Sequence, residues 1–202
     1  MYNKIISIIL AVCFTALPCT AVNAESENTT ITRAELADAV MEIHEYITQT
    51  FSLPMPEQPV FSDIKESPFQ FRIIQAYTEG FMYGAGDGQF LPDENVMKAQ
   101  MAVVLYRLVQ NLNKKYNTSQ EEKTVDILNI EMAPAWEKQA VNFMVSTDLM
   151  PFSENYFYLN EPVSESELYE TAKKIADIFA VFHEGERIDF KTFLNRVNNG
   201  GK

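Results

Sequence analysis

Arg33 directly follows Thr32, the residue that opens an expected helix. Unpaired backbone N–H groups and the helix dipole make such a start positive. A guanidinium in the first turn adds a planar fork that grips a carboxylate through two parallel bonds. The chemistry on offer is anion binding; the plain alternative is a solvated first-turn arginine. Gly84, Gly86 and Gly88, flanking Asp87, permit positive φ and close approach of the backbone to a partner, and a tight turn would use them equally. Patterns for catalysis fail. Ser62-Asp63-Ile64-Lys65 has Ser-x-x-Lys spacing but no companion motif. His44-Glu45 lacks a histidine at position 48, so no zinc-protease helix is present. His44 and His183 are the only histidines and fall on different helices. Asp87 lacks the carboxylate series of a calcium loop. The chain reads as no enzyme, with no metal site and no cofactor.

Helices must position these residues. Thr32 and Glu35 form a capping box, and Leu36, Val40, Ile43, Ile47 and Phe51 follow at helical spacing. Leu53-Pro54-Met55-Pro56 and Pro59 end that helix in a stiff connector. A shorter helix is expected over about 69–79. A second long helix begins near Met97, with Met101, Val104, Leu105, Leu108 and Leu112 on one face. Asn113 to Lys123 reads as a polar linker. Another short helix covers about 135–146, and a loop holding Phe152, Tyr156, Phe157 and Tyr158 comes next. Ser164 and Glu167 rebuild the capping box for a third long helix burying Leu168, Ala172, Ile175 and Phe179. Ile188 to Val197 is a last amphipathic segment. Strand signal is nearly absent.

The chain repeats itself. Phe61-Ser62-Asp63-Ile64 through Gly80, the Gly84–Pro92 turn and Val96 form one copy; Val125-Asp126-Ile127 through Trp136 and Phe157 to Val163 form another. Asp63 pairs with Asp126 at a step of 63, and Val96 with Val163 at a step of 67. Ile31-Thr32-Arg33-Ala34-Glu35-Leu36 is a third copy of the unit's tail. Such a period points to stacked helical units.

Phe-Ser-Asp-Ile, a short helix, a Gly-x-Gly-Asp-Gly-x-Phe-x-Pro-Asp turn and a Thr-Arg-Ala-Glu helix start together resemble the S-layer homology domain. The resemblance covers most of the chain beyond residue 24. It implies an all-α, pseudo-threefold helical prism of three long central helices and shorter peripheral ones. The grooves between copies would hold secondary cell-wall polysaccharide, often pyruvylated, and tether the protein to the cell surface without a covalent bond. By resemblance Arg33 grips the polymer's acidic group, and the turn with Gly84, Gly86 and Asp87 lines a groove. Lys98 stands at the matching place in the second copy, keeping the charge and losing the fork; Met97 supplies no capping hydroxyl there. Glu165 takes the place in the third and would repel an anion. Trp136 occupies the family's tryptophan position, as a sugar-stacking ring or a core plug. Asp63 and Asp126 cap the turns that open each unit, with a ligand role for Asp63 as the alternative.

The expected organisation is a leader at 1–24, a partial repeat and connector at 25–60, and a second repeat with linker at 61–124. A diverged third repeat follows at 125–183, then a C-terminal helix and tail at 184–202. That helix either replaces the first copy's missing short helix or simply packs at the end. Lys4, the apolar Ile5–Leu17 and Val22-Asn23-Ala24 make residues 1–24 a secretory signal, with a retained anchor as the alternative. Both cysteines, Cys13 and Cys19, lie in that leader, so the remainder carries no thiol chemistry. The net charge of −12 argues against nucleic acid as a partner. No membrane span is expected after cleavage. The partner is a wall polysaccharide or, if the carbohydrate sites are lost, an envelope protein.

Overall fold

The computed structural model describes residues 29–50 and 60–179. The leader, most of the proline connector, His183 and Ile188–Val197 lie outside the described residues. The helices are α1 (Arg33–Thr48), α2 (Gln70–Thr78), α3 (Lys98–Tyr116), α4 (Ala135–Ser146) and α5 (Glu165–Phe179), with a short 3-10 helix at Ile130–Met132. Among the described residues there is no strand, only isolated bridges. The described residues are all-α.

Each long helix starts where its sequence says it should. The Thr32 hydroxyl accepts from the Glu35 N–H while the Glu35 carboxylate accepts from the Thr32 N–H, so two orphan donors are satisfied reciprocally. Ser164 and Glu167 do the same for α5. Met97 has no hydroxyl, yet the Gln100 carboxamide accepts from the Met97 N–H at 3.1 Å and keeps half of the box. α3 runs on through Tyr116, into the expected linker. Leu112 and Asn113 are buried, the Tyr116 hydroxyl donates to Ile47 O at 2.9 Å, and Asn117 ends the helix in the left-handed conformation.

The three starts are joined. Ile31 N–H donates to Val163 O, Val163 N–H to Val96 O, and Val96 N–H to Ile31 O, at 2.9–3.0 Å. This closed ring satisfies six buried backbone groups that no helix could serve. The next rung has the same form, with Arg33 N–H to Glu94 O, Lys98 N–H to Glu161 O, and Glu165 N–H to Thr29 O. α1 packs against α2, α3 and α5, and α3 packs against α4. The apolar stripes of α1, α3 and α5 meet in one core with Phe81, Phe90 and Phe157.

The short helices are seated by different physics. Arg72 on α2 reaches Asp38 at 3.1 Å and Glu45 at 2.6 Å on α1. Glu42 lies beside them, and burial, then Asp38, push its carboxyl up to about 8. α4 meets α3 through an edge-on ring contact of Phe143 with Tyr106, centroids 5.1 Å apart.

Candidate functional site

The glycine turn is a tight hairpin. Asp87 and Gly88 have φ of 49° and 70°, the pair that a type I′ turn requires. Gly86 and Gln89 bridge its ends. Gly84 is needed for space: a Cβ there would meet Gln89 O and Phe61 Cε1 at 2.6 Å. Gly86 is unobstructed but has φ of 117°, where side chains are strained.

Arg33 and Asp63 both hold this hairpin, at the carbonyl and the N–H of Phe90. Arg33 Nε donates to Phe90 O at 2.8 Å and an Nη to Tyr83 O at 2.9 Å. Its guanidinium also lies 4.7 Å from the Phe90 ring centre. Burial lowers the Arg33 pKa, against the pull of Glu94 and Asp63. The Asp63 carboxylate accepts from Phe90 N–H at 2.9 Å and Leu91 N–H at 2.8 Å. Burial works against that charge, but the backbone bonds prevail and hold the carboxyl below its ordinary range. Asp63 thus also caps a loop 27 residues on.

The second hairpin repeats the geometry without glycine. Glu154 and Asn155 have φ of 51° and 61°, and Ser153 bridges Tyr156. The residue doing Asp63's work is Asn129. Its Oδ1 accepts from Phe157 N–H at 3.1 Å, and its Nδ2 donates to Phe157 O at 2.6 Å. Leu128 N–H reaches Asn155 O as Ser62 N–H reaches Gly88 O. Asp126, paired with Asp63 by sequence, is exposed and caps nothing here. The structural step is 66, in keeping with the 67 that separates Val96 from Val163. A shared Asp-Ile drew the alignment three residues out of register, while Asn129-Ile130 carried the true signal.

Lys98, at Arg33's counterpart position, has a different task. Its ammonium pairs with Glu161 and, at 2.7 Å, with Glu167; it also lies 5.7 Å from the Tyr158 ring centre. Burial opposes the Lys98 charge, but the two carboxylates outweigh it and raise the pKa. Beside this cluster is an open groove of about 390 Å³ lined by Asn129, Met132, Tyr158, Leu159, Asn160, Glu161 and Pro162. Trp136, at the head of α4, is 58% exposed, which removes the core-plug alternative. Met132 is 78% exposed. Glu165, the third counterpart, has its carboxyl raised by burial and by Glu35. Sequence reasoning missed Asn129, Met132 and Glu161 as site residues; Tyr158 was visible only as part of an aromatic-rich loop.

The residues of the failed catalytic patterns have other partners. Ser62 Oγ donates to Gly88 O at 3.2 Å, and Lys65 is exposed. His44 is buried against Phe81, and burial, then Lys115, push its pKa down to about 4. Among the described residues no three His, Cys, Asp or Glu side chains are grouped to hold a metal ion. No helix among them is long and apolar enough to cross a membrane.

No curated protein matches the chain. Residues 60–102, which span Asp63, α2, the first hairpin and the start of α3, match the family model of the S-layer homology domain. That is a binding and anchoring module rather than a catalytic one, and it attaches proteins to the cell wall non-covalently. Over residues 60–102 the chain is therefore similar to the S-layer homology domain.

Proposed function

We propose that this protein is a secreted envelope module that binds secondary cell-wall polysaccharide. The observation that carries the reading is the match over residues 60–102. The ring formed by Ile31, Val96 and Val163 supports a pseudo-threefold prism in which the starts of α1 and α3 border the next copy's hairpin. Two such borders carry a cation, Arg33 at one and Lys98 at the other. Arg33 keeps the first hairpin in shape through two of its N–H groups and offers the remainder of its fork to an acidic substituent such as a pyruvate ketal. Asp63, Gly84, Gly86 and Asp87 form and hold that hairpin wall. Trp136 presents an exposed ring to sugar at the head of α4.

A second reading has its own support: Arg33 is engaged with carbonyls and Lys98 with carboxylates, so the fold could serve an envelope protein partner instead. Retention of the purified protein on cell-wall sacculi, with and without the pyruvylated polymer, separates the two. Retention that weakens with salt and falls in Arg33→Ala supports the polysaccharide reading. Indifference to sacculi, together with capture of a defined envelope protein, supports the other.

A further inference from the structure

One seat in this fold is built twice, once from charges and once without them. Met82 N–H donates to Ala76 O as Met150 N–H donates to Met144 O, so α4 repeats α2 at a step of 68. α3 repeats α1 at a step of 65, from Arg33 to Lys98. In that register Asp38 and Glu45 of α1 become Val103 and Gln110 of α3. Arg72 and Gln75 of α2 become Ala140 and Phe143 of α4. An apolar contact can replace a buried ion cluster without loss of stability. The fold therefore has no need of the charges between α1 and α2.

Three carboxylates face one guanidinium there. Asp38, Glu42 and Glu45 share one face of α1 at i, i+4 and i+7. Arg72 bridges Asp38 and Glu45, and its Nη1 also donates to Gln75 Oε1 at 3.1 Å. Gln75 Nε2 is buried with no partner, so the cluster is not fully satisfied. Glu35 adds to the negative field at Asp38. From α3, Lys115 acts on His44 and Tyr116 bonds Ile47 O; from α5, Glu165 acts on Glu35. Among the described residues only Asp38, Glu45 and Arg72 act on Glu42. α2 has nine residues and no side-chain cap, too few to stay helical without its seat. It is tied to the first hairpin, because Tyr77 meets Phe61 and Tyr83 edge-on at 5.3 and 6.3 Å.

We propose that the seat of α2 on α1 is a proton-operated latch. α2 and the first hairpin open with release of the Glu42 proton, so they loosen as the solution turns from mildly acidic to mildly alkaline, while α4 stays seated on α3. This holds whatever the grooves bind. The sign follows from linkage. The seated Glu42 carboxyl is pushed up to about 8 by burial, then Asp38, and an unseated one returns to about 4.3, so opening gains with pH between the two.

Hydrogen exchange of the full-length protein, read by mass spectrometry, tests this with α4 as reference in the same molecule. After correction for intrinsic rates, protection over residues 70–91 should fall by about tenfold or more relative to α4 between about pH 5 and pH 8. Glu42→Gln should abolish that fall and leave protection at pH 5 unchanged. Asp38→Asn, which leaves Arg72 two carboxylates, should shrink it. Equal loss in α2 and α4 overturns the latch. So does a fall that persists in Glu42→Gln, or α2 protection that does not move with pH.

Discussion

At the border of α1 with the first hairpin, an arginine and an aspartate share the work of fixing one loop. At the border of α3 with the second hairpin, a single asparagine does both parts. A carboxylate only accepts, so Asp63 can satisfy Phe90 N–H but not Phe90 O, and Arg33 must supply the donor. A carboxamide donates and accepts, so Asn129 closes both bonds to Phe157 by itself. The cation opposite is then available for other partners. The two exchanges, aspartate for asparagine and arginine for lysine, therefore make sense as a pair. A related contrast holds where the short helices meet the long ones: α2 has an ion cluster with α1, and α4 a ring contact with α3.

The comparison is most severely tested at Gly84, the one tight approach that the second hairpin does without. Gly84→Ala drives a Cβ against backbone and the Phe61 ring, and should cost about 2–3 kcal/mol. Urea unfolding measures it; a loss below about 0.5 kcal/mol would mean that the hairpin can shift.

Next come the two polar anchors. Asp63→Ala strands two backbone N–H groups beside a part-buried guanidinium and should cost about 2–3 kcal/mol. Asn129→Ala should cost about 1–2 kcal/mol, because both groups it leaves are uncharged. The pH dependence sharpens the difference. The folded Asp63 pKa is depressed, so its stabilisation is complete above the unfolded value of about 3.9 and drains as pH falls through the folded one. Asp63→Asn should flatten that acid limb in thermal melts between pH 5 and 2, whereas Asn129→Asp, which can donate to Phe157 O only when protonated, should be destabilising at neutral pH and recover as pH falls.

Glu42 has the opposite sign. Its folded pKa is raised to about 8, so its contribution falls as pH rises from about 4.3 towards 8, where the unfolded chain has already released the proton. Glu42→Gln should raise stability at pH 8 by roughly 1–2 kcal/mol and leave it nearly unchanged at pH 4. Equal effects at both values would show that α2's seat does not depend on this ionisation.

The smallest contrast is between the two cations. Arg33→Gln should cost about 1–2 kcal/mol for its two carbonyl bonds, and Lys98→Gln about 0.5–1 kcal/mol for partners that are partly exposed. Comparable losses would erase the distinction between a structural and an available cation.

Much of this fold could be read from residue types alone. Thr32 with Glu35 and Ser164 with Glu167 marked two helix starts to the residue, because capping is a local bond within one turn. The apolar stripes placed α1, α3 and α5 for the same reason. Legibility ended where a bond spans the chain. Asn129 resembles an ordinary loop asparagine until Phe157, 28 residues on, is placed against it. The Asp126 pairing followed from identity of letters, and only the matching hydrogen bonds corrected the register.

The amino-acid order by itself determined the helices, their caps and the repeating unit, since each depends on neighbours within a turn or two. Tertiary structure alone decided what the charged side chains do. Arg33 holds a loop, Lys98 lies between two acids and Trp136 stands in solvent, because a long side chain's partner is set by whatever another part of the chain brings within a few ångströms of it.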